Sequence, residues 1–189
     1  MKSLLLLSLC LFFINADSAA ETALPIAKFK TPPTIDGKFA PGEWSGATGF
    51  YGFFDRTTLN LNTRTGQTFI GFDEKNLYLC VLSELPPDGK LVTTVNQHDG
   101  KVFFDDNIEI ILAPRRSNGN HDFYKFIGNA NGVISDILQN PEKVDDPNWN
   151  GNEKYACSLD ANLKMWVAEL SIPLSDLNFT GIQKMGIII

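Results

Sequence analysis

Thr68-Phe69-Ile70-Gly71-Phe72-Asp73-Glu74-Lys75-Asn76-Leu77-Tyr78-Leu79-Cys80-Val81-Leu82 is the stretch that decides the fold class. Thr68 to Phe72 is short and rich in aromatic and β-branched residues, which suit a pleated strand. Asp73 to Asn76 is a polar turn. Leu77 to Leu82 is unbroken apolar sequence. Two such runs joined by a polar turn read as a β-hairpin. The second arm is apolar on both faces, so it belongs at the buried centre of a sheet.

The same grammar continues outward. Pro86-Pro87-Asp88-Gly89 supplies turn chemistry for a loop running to Lys101. Asp106 to Leu112 alternates, with Ile108, Ile110 and Leu112 on one face and Asn107, Glu109 and Ile111 on the other. Pro114 ends that strand. Phe123 to Ile127 and Val133 to Leu138 flank the tight turn Asn129-Ala130-Asn131-Gly132. Tyr155 to Leu159 and Leu163 to Ile172 form another hairpin, Pro173 to Leu177 reads as one helical turn, and Met185 begins a last strand. Helical periodicity is nearly absent. The pattern predicts an all-β fold, an antiparallel β-sandwich of the jelly-roll or immunoglobulin-like kind. The apolar end Gly186-Ile187-Ile188-Ile189 has no turn or polar tail. An open edge that apolar is an aggregation liability, so the sandwich is expected to be truncated at its C-terminus and to belong to a longer protein.

Composition sets limits on function. The chain has 189 residues and a net charge of -6, which disfavours nucleic acid and anionic membrane as partners. Its hydrophobic content of 43% is enough for a globular core. Residues 1–20 read as a secretory signal peptide. Lys2 forms the basic start, Leu4 to Ile14 the apolar run, and Ser18-Ala19-Ala20 the small-residue cleavage site before Glu21. The remaining 21–189 form one sandwich domain, exported to a secreted, periplasmic or extracellular location. After cleavage, Cys80 and Cys157 remain. They either pair in the oxidising compartment or are two small buried hydrophobes on different strands.

Four motifs occur in order: Pro33-Thr34-Ile35-Asp36-Gly37 with Gly42-Glu43-Trp44; Phe72 to Leu79; Asp106-Asn107-Ile108-Glu109-Ile110; and Trp166 to Pro173. In this order the chain resembles the family-nine carbohydrate-binding modules, sandwich domains attached to secreted xylanases and related enzymes. The first, second and fourth motifs also read as structure, with Ile35 and Trp44 in the core and Asp36-Gly37 as a turn. The third carries chemistry. The resemblance places a stacking aromatic at Phe103, a hydroxyl-binding carboxylate at Glu109 and a basic partner at Lys125, on one face with Asn107. A pyranose offers an apolar C–H face and equatorial hydroxyls, so an aromatic plate beside charged groups suits it. The family's usual platform is Trp, and Phe103 is smaller. The second family Trp falls beyond the end of this chain, which leaves Trp149 as a substitute platform or a loop residue folded onto the sandwich edge.

The resemblance also implies structural calcium, with Asp105, Asp106 and Asp122 the first candidates and Asp136, Asp145 and Asp146 beyond them. Catalysis is not expected here, because Asp106 and Glu109 lie on opposite strand faces and cannot act as a glycosidase pair. His98 and His121 sit in polar loops with no ligand spacing and read as solvent-exposed. The competing readings are a haem electron-transfer domain of like architecture, for which Met165 and Met185 are the internal methionines, and a structural spacer domain. No Cys-x-x-Cys-His occurs, and haem is not expected. The expected function is therefore non-catalytic binding of a polysaccharide or oligosaccharide, serving carbohydrate catabolism beside a covalently linked glycoside hydrolase.

Overall fold

The computed structural model describes residues 24–54, 58–114, 121–146, 148–178 and 185–189; the signal segment 1–20 lies outside them. Among the described residues eleven strands form two sheets: β1 (Ala27–Lys28), β2 (Thr48–Tyr51), β3 (Gly66–Phe72), β4 (Asn76–Glu84), β5 (Asn107–Pro114), β6 (Phe123–Asn129), β7 (Ile134–Gln139), β8 (Asp145–Asp146), β9 (Lys154–Asp160), β10 (Met165–Pro173) and β11 (Met185–Ile188). The first sheet runs β1-β3-β4-β10-β9, with β2 also on β3; the second runs β11-β5-β6-β7-β8. The expected β3–β4 hairpin is present, and β4 lies in the middle of its sheet. One pairing departs from the antiparallel expectation: β1 runs parallel to β3, with Ala27 opposite Gly71.

The apolar continuity of β4 and β10 has a direct cause: both faces of their sheet are covered. The inner face packs on the second sheet through Leu79, Leu170, Ile172, Ile110, Leu112, Tyr124 and Phe126. The outer face carries Tyr78, Cys80, Leu82 and Val167, and the segment around Phe29 and Trp44 folds over it as a second core. Phe29 meets Trp44 and Tyr78 edge to face, with centroids 5.9 and 5.8 Å apart.

Glu169 holds this cover in place. It is 0% exposed and lies on the outer face of β10. Its Oε2 accepts the backbone N–H groups of Asp36 (3.0 Å) and Gly37 (2.8 Å), and its Oε1 accepts the Trp44 indole N–H (3.1 Å). Gly37 has φ +78°, and a Cβ there would meet the backbone of Cys157 at 2.7 Å, so only glycine lets the turn approach β9. Burial pushes the Glu169 carboxyl above its ordinary range; the three donors oppose that shift without cancelling it.

One sequence expectation needs correction, and the two readings of the cysteine pair are resolved. Pro173 to Leu177 is not a helical turn but a hydrogen-bonded turn, in which Asp176 N–H donates to Pro173 O at 3.0 Å. The Cys80–Cys157 disulfide does not form. Cys80 is opposite Glu169 on one side of β10 and Cys157 is opposite Ala168 on the other. The two cysteines are therefore separated by a whole strand and point to opposite faces, outside disulfide reach.

Candidate functional site

With the first sheet covered on both sides and the second packed inward, the outer face of the second sheet is the one left to present side chains. The β5–β6 register places Glu109 opposite Ile127 and Ile111 opposite Lys125. Glu109 and Lys125 therefore share that face, as the alternation implied, but they lie two residues apart along it rather than directly across. Glu109 is exposed. The Lys125 ammonium turns the other way and lies 4.0 Å from Asp145 Oδ1, so the expected Glu109–Lys125 pairing is not made. Asn107 starts the same face, half-buried, and donates its amide to the Asp105 carbonyl at 2.9 Å.

Before β5 the chain makes a 3₁₀ turn at Val102–Phe104. Val102 is buried beneath it, while Phe103 and Phe104 are 54% and 71% exposed. Their rings lie 4.4 Å apart. The turn packs on β5 and β6, next to the end of the sheet where β5 begins. Both large rings are thus presented together to water rather than packed beneath the loop.

The turn is held by a latch that sequence reasoning missed. Asp105 is buried. Its Oδ1 accepts from the Thr94 N–H (2.9 Å) and hydroxyl (2.7 Å), and its Oδ2 from the Val95 N–H (3.0 Å) and the Asn129 amide (2.8 Å). Burial raises the Asp105 carboxyl, but these donors together outweigh it and hold the group below the usual carboxylate range. Asn129, 0% exposed, also donates to Val95 O (2.9 Å) and accepts from the N–H groups of Asn131 and Val133 (both 3.0 Å). Asp106 adds a further tie, accepting the Val92 N–H at 2.6 Å.

This geometry corrects the expected calcium set. The four acceptor positions of Asp105 are filled by N–H and O–H donors, and Asp106 serves the same loop. Asp122 precedes β6 at its opposite end from Asn129, roughly 20 Å along the strand. Asp105, Asp106 and Asp122 are not brought together as a ligand set. Among the described residues, the group of such side chains that does converge is His98, Asp99 and Asp136. His98 is exposed as expected, but it stands between two carboxylates.

Trp149 packs edge-on against Tyr124 and Phe126, with centroids 5.4 and 6.1 Å apart. Those partners lie on the inner face, so Trp149 closes the sandwich edge and takes no place beside Phe103 and Glu109.

A search of known structures finds this architecture elsewhere. One neighbour is a proposed carbohydrate-binding protein from Bacteroides uniformis, with TM-score 0.62 and 14% identity over 84% of this chain and 77% of that one. A family-nine carbohydrate-binding module from Caldicellulosiruptor kristjanssonii in complex with cellotriose matches at TM-score 0.55 and 16% identity, over 83% of this chain and 70% of that one. A family-nine module from the same organism in complex with glucose matches at TM-score 0.56 and 16% identity, over 85% and 73%. The chain shares the fold of these modules. No protein-family profile and no curated protein sequence matches it. The family-nine resemblance read from the motifs is thus borne out in the sandwich architecture.

Proposed function

We propose that this domain binds saccharides non-covalently, with the outer face of β5 and β6 as its floor and the Phe103–Phe104 pair as its stacking platform. The observation that carries this reading is the exposure of both rings beside the face presenting Glu109. An aromatic plate covers a pyranose C–H face while the carboxylate accepts its hydroxyls. The two neighbours solved with cellotriose and glucose support the choice of ligand class. In this proposal the domain is exported and accompanies a glycoside hydrolase acting on polysaccharide.

The site is tested by calorimetric titration with cello- and xylo-oligosaccharides. Phe103→Ala removes apolar stacking worth roughly 1–3 kcal/mol, and Glu109→Ala removes charge-assisted bonds worth about 1.5–3 kcal/mol. Each loss weakens binding about tenfold or more. Ile110→Ala, from the 4%-exposed inner side of the same strand, lowers stability and leaves affinity intact in the folded fraction. A wild type that binds none of these sugars would overturn the proposal. Unchanged affinity in both site variants would move the site elsewhere.

Export has its own test. The secreted product is expected to begin at Glu21 by N-terminal sequencing. A cytoplasmic product retaining Met1 would defeat this part of the proposal and leave sugar binding untouched.

A further inference from the structure

The His98–Asp99 segment crosses the open edge of β7, where Asp99 N–H donates to Ile134 O at 3.2 Å. This sets it beside Asp136, which points to the inner side of β7, away from the proposed sugar face. The Asp136 side chain is 0% exposed. Its Oδ2 accepts the Gly151 N–H at 2.5 Å, but no hydrogen-bond donor among the described residues reaches its Oδ1. Glu153 Oε2, also beside Gly151, is likewise buried and without a donor among the described residues. A buried carboxylate oxygen without a partner is costly and calls for a positive group beside it.

His98 is arranged to help supply one. Its Nδ1 lies 2.9 Å from Asp99 Oδ2, a hydrogen bond that makes Nδ1 the protonated nitrogen and leaves the Nε2 lone pair free. Nε2 faces Asp136 Oδ1 at 3.5 Å. That is long for an N–H···O bond. It is close to the edge of a tetrahedron drawn around a cation with bonds of about 2.0–2.1 Å, which is about 3.4 Å.

We propose that His98 Nε2 and Asp136 Oδ1 form the protein side of a site for a divalent d-block cation of the zinc class, completed by water, with Asp99 as the positioning residue that orients the imidazole. An imidazole among few carboxylates selects such an ion over calcium, which takes six to eight oxygen ligands. His98 is 52% exposed, so the ion enters from solution and keeps a water-facing position. The site does not depend on the sugar proposal, because it lies on the other side of the second sheet.

The test is calorimetric titration of the chelator-treated whole chain with zinc chloride, and separately with calcium chloride, at about pH 7.5, where an ordinary imidazole is neutral. The expected result is one zinc per chain, a higher Tm with zinc, and visible d–d absorption when cobalt replaces it. His98→Ala should weaken zinc at least about tenfold, and Asp99→Asn by about 10–100-fold. His98 is half-exposed, so its variant folds even if Asp136→Asn does not, and circular dichroism checks this. Saccharide affinity should be unchanged in His98→Ala, which keeps failure of this site separate from failure of the sugar reading. No zinc binding by the wild type, equal zinc binding by His98→Ala, or calcium held as tightly as zinc would each overturn the proposal. The first of these results, with His98→Ala less stable, would make His98 an imidazolium bridging two carboxylates.

Discussion

Glu169→Ala is expected to destabilise the domain by about 3–5 kcal/mol, because it strips the acceptor from three donors at once. The Asp36 and Gly37 amides and the Trp44 indole would lose their partner beneath a cover that admits little water. The damage would spread beyond one cavity, since these bonds fasten the N-terminal segment across β4 and β10. Glu169→Gln keeps the shape and one carbonyl acceptor but turns an NH₂ group toward a donor, and should cost roughly 1–3 kcal/mol. Urea denaturation checks both. The midpoint should fall in that order, and a larger fall in m for the alanine variant would mean the cover has already detached in the native state. A loss below about 1 kcal/mol for Glu169→Ala would show that the clip is not what holds the cover.

Asp105→Ala is expected to weaken ligand binding as strongly as the loss of Phe103 or Glu109 itself. Nothing in that substitution touches the proposed sugar position. It releases the backbone at Thr94 and Val95 and the Asn129 amide together, and with them the turn that presents Phe103 and Phe104. Rings that must be ordered at the moment of binding bind more weakly, here by about tenfold or more in Kd. Asp105→Asn is a sharper probe, because its NH₂ group must face either the Thr94 donors or the Val95 and Asn129 donors. Its effect should approach that of alanine despite its near-identical shape. Protease sensitivity in the 92–101 loop should rise in both variants. Increased cleavage with full saccharide affinity would separate the loop from the site. Intact affinity and intact loop would make the latch redundant.

Both effects mark where sequence reading stopped. The centrality of β4 was legible because Leu77 to Leu82 leaves no polar face, and the inward set Ile108, Ile110 and Leu112 was legible from strict alternation. The shared face of Glu109 and Lys125 followed from that alternation. Their two-residue offset did not, since register depends on where the Asn129–Gly132 turn closes. Strands β1 and β2 were missed because they are short and set among prolines and glycines, held by their neighbour rather than by their own pattern. Asp105 looked like a metal ligand because a loop carboxylate has no visible partner until the fold brings Thr94, Val95 and Asn129 around it. His98 looked solitary because Asp136 meets it only through the loop's path across the β7 edge. Glu169 did leave a signal. A carboxylate inside Trp166 to Ile172, on a strand expected to be buried, needs a set of donors, and the Asp36-Gly37 turn and Trp44 indole of the first motif are that set.

The Glu169 clip also constrains the order in which the protein can become itself. It joins residues 132 and 133 positions apart, and β4 finds its second neighbour, β10, only late in the chain. Contacts so remote in sequence slow the search for the native state, toward the millisecond-to-second range of all-β domains. Residues 29–47 can lie on the sheet before then, held at Phe29 by its bond to Phe72 O and its contact with Tyr78, but the Asp36-Gly37 turn and the Trp44 indole gain their shared acceptor only when residue 169 arrives. Until β10 is in place beside β4, the cover over the outer face therefore lacks the one carboxylate that ties its Asp36-Gly37 turn and its Trp44 indole together.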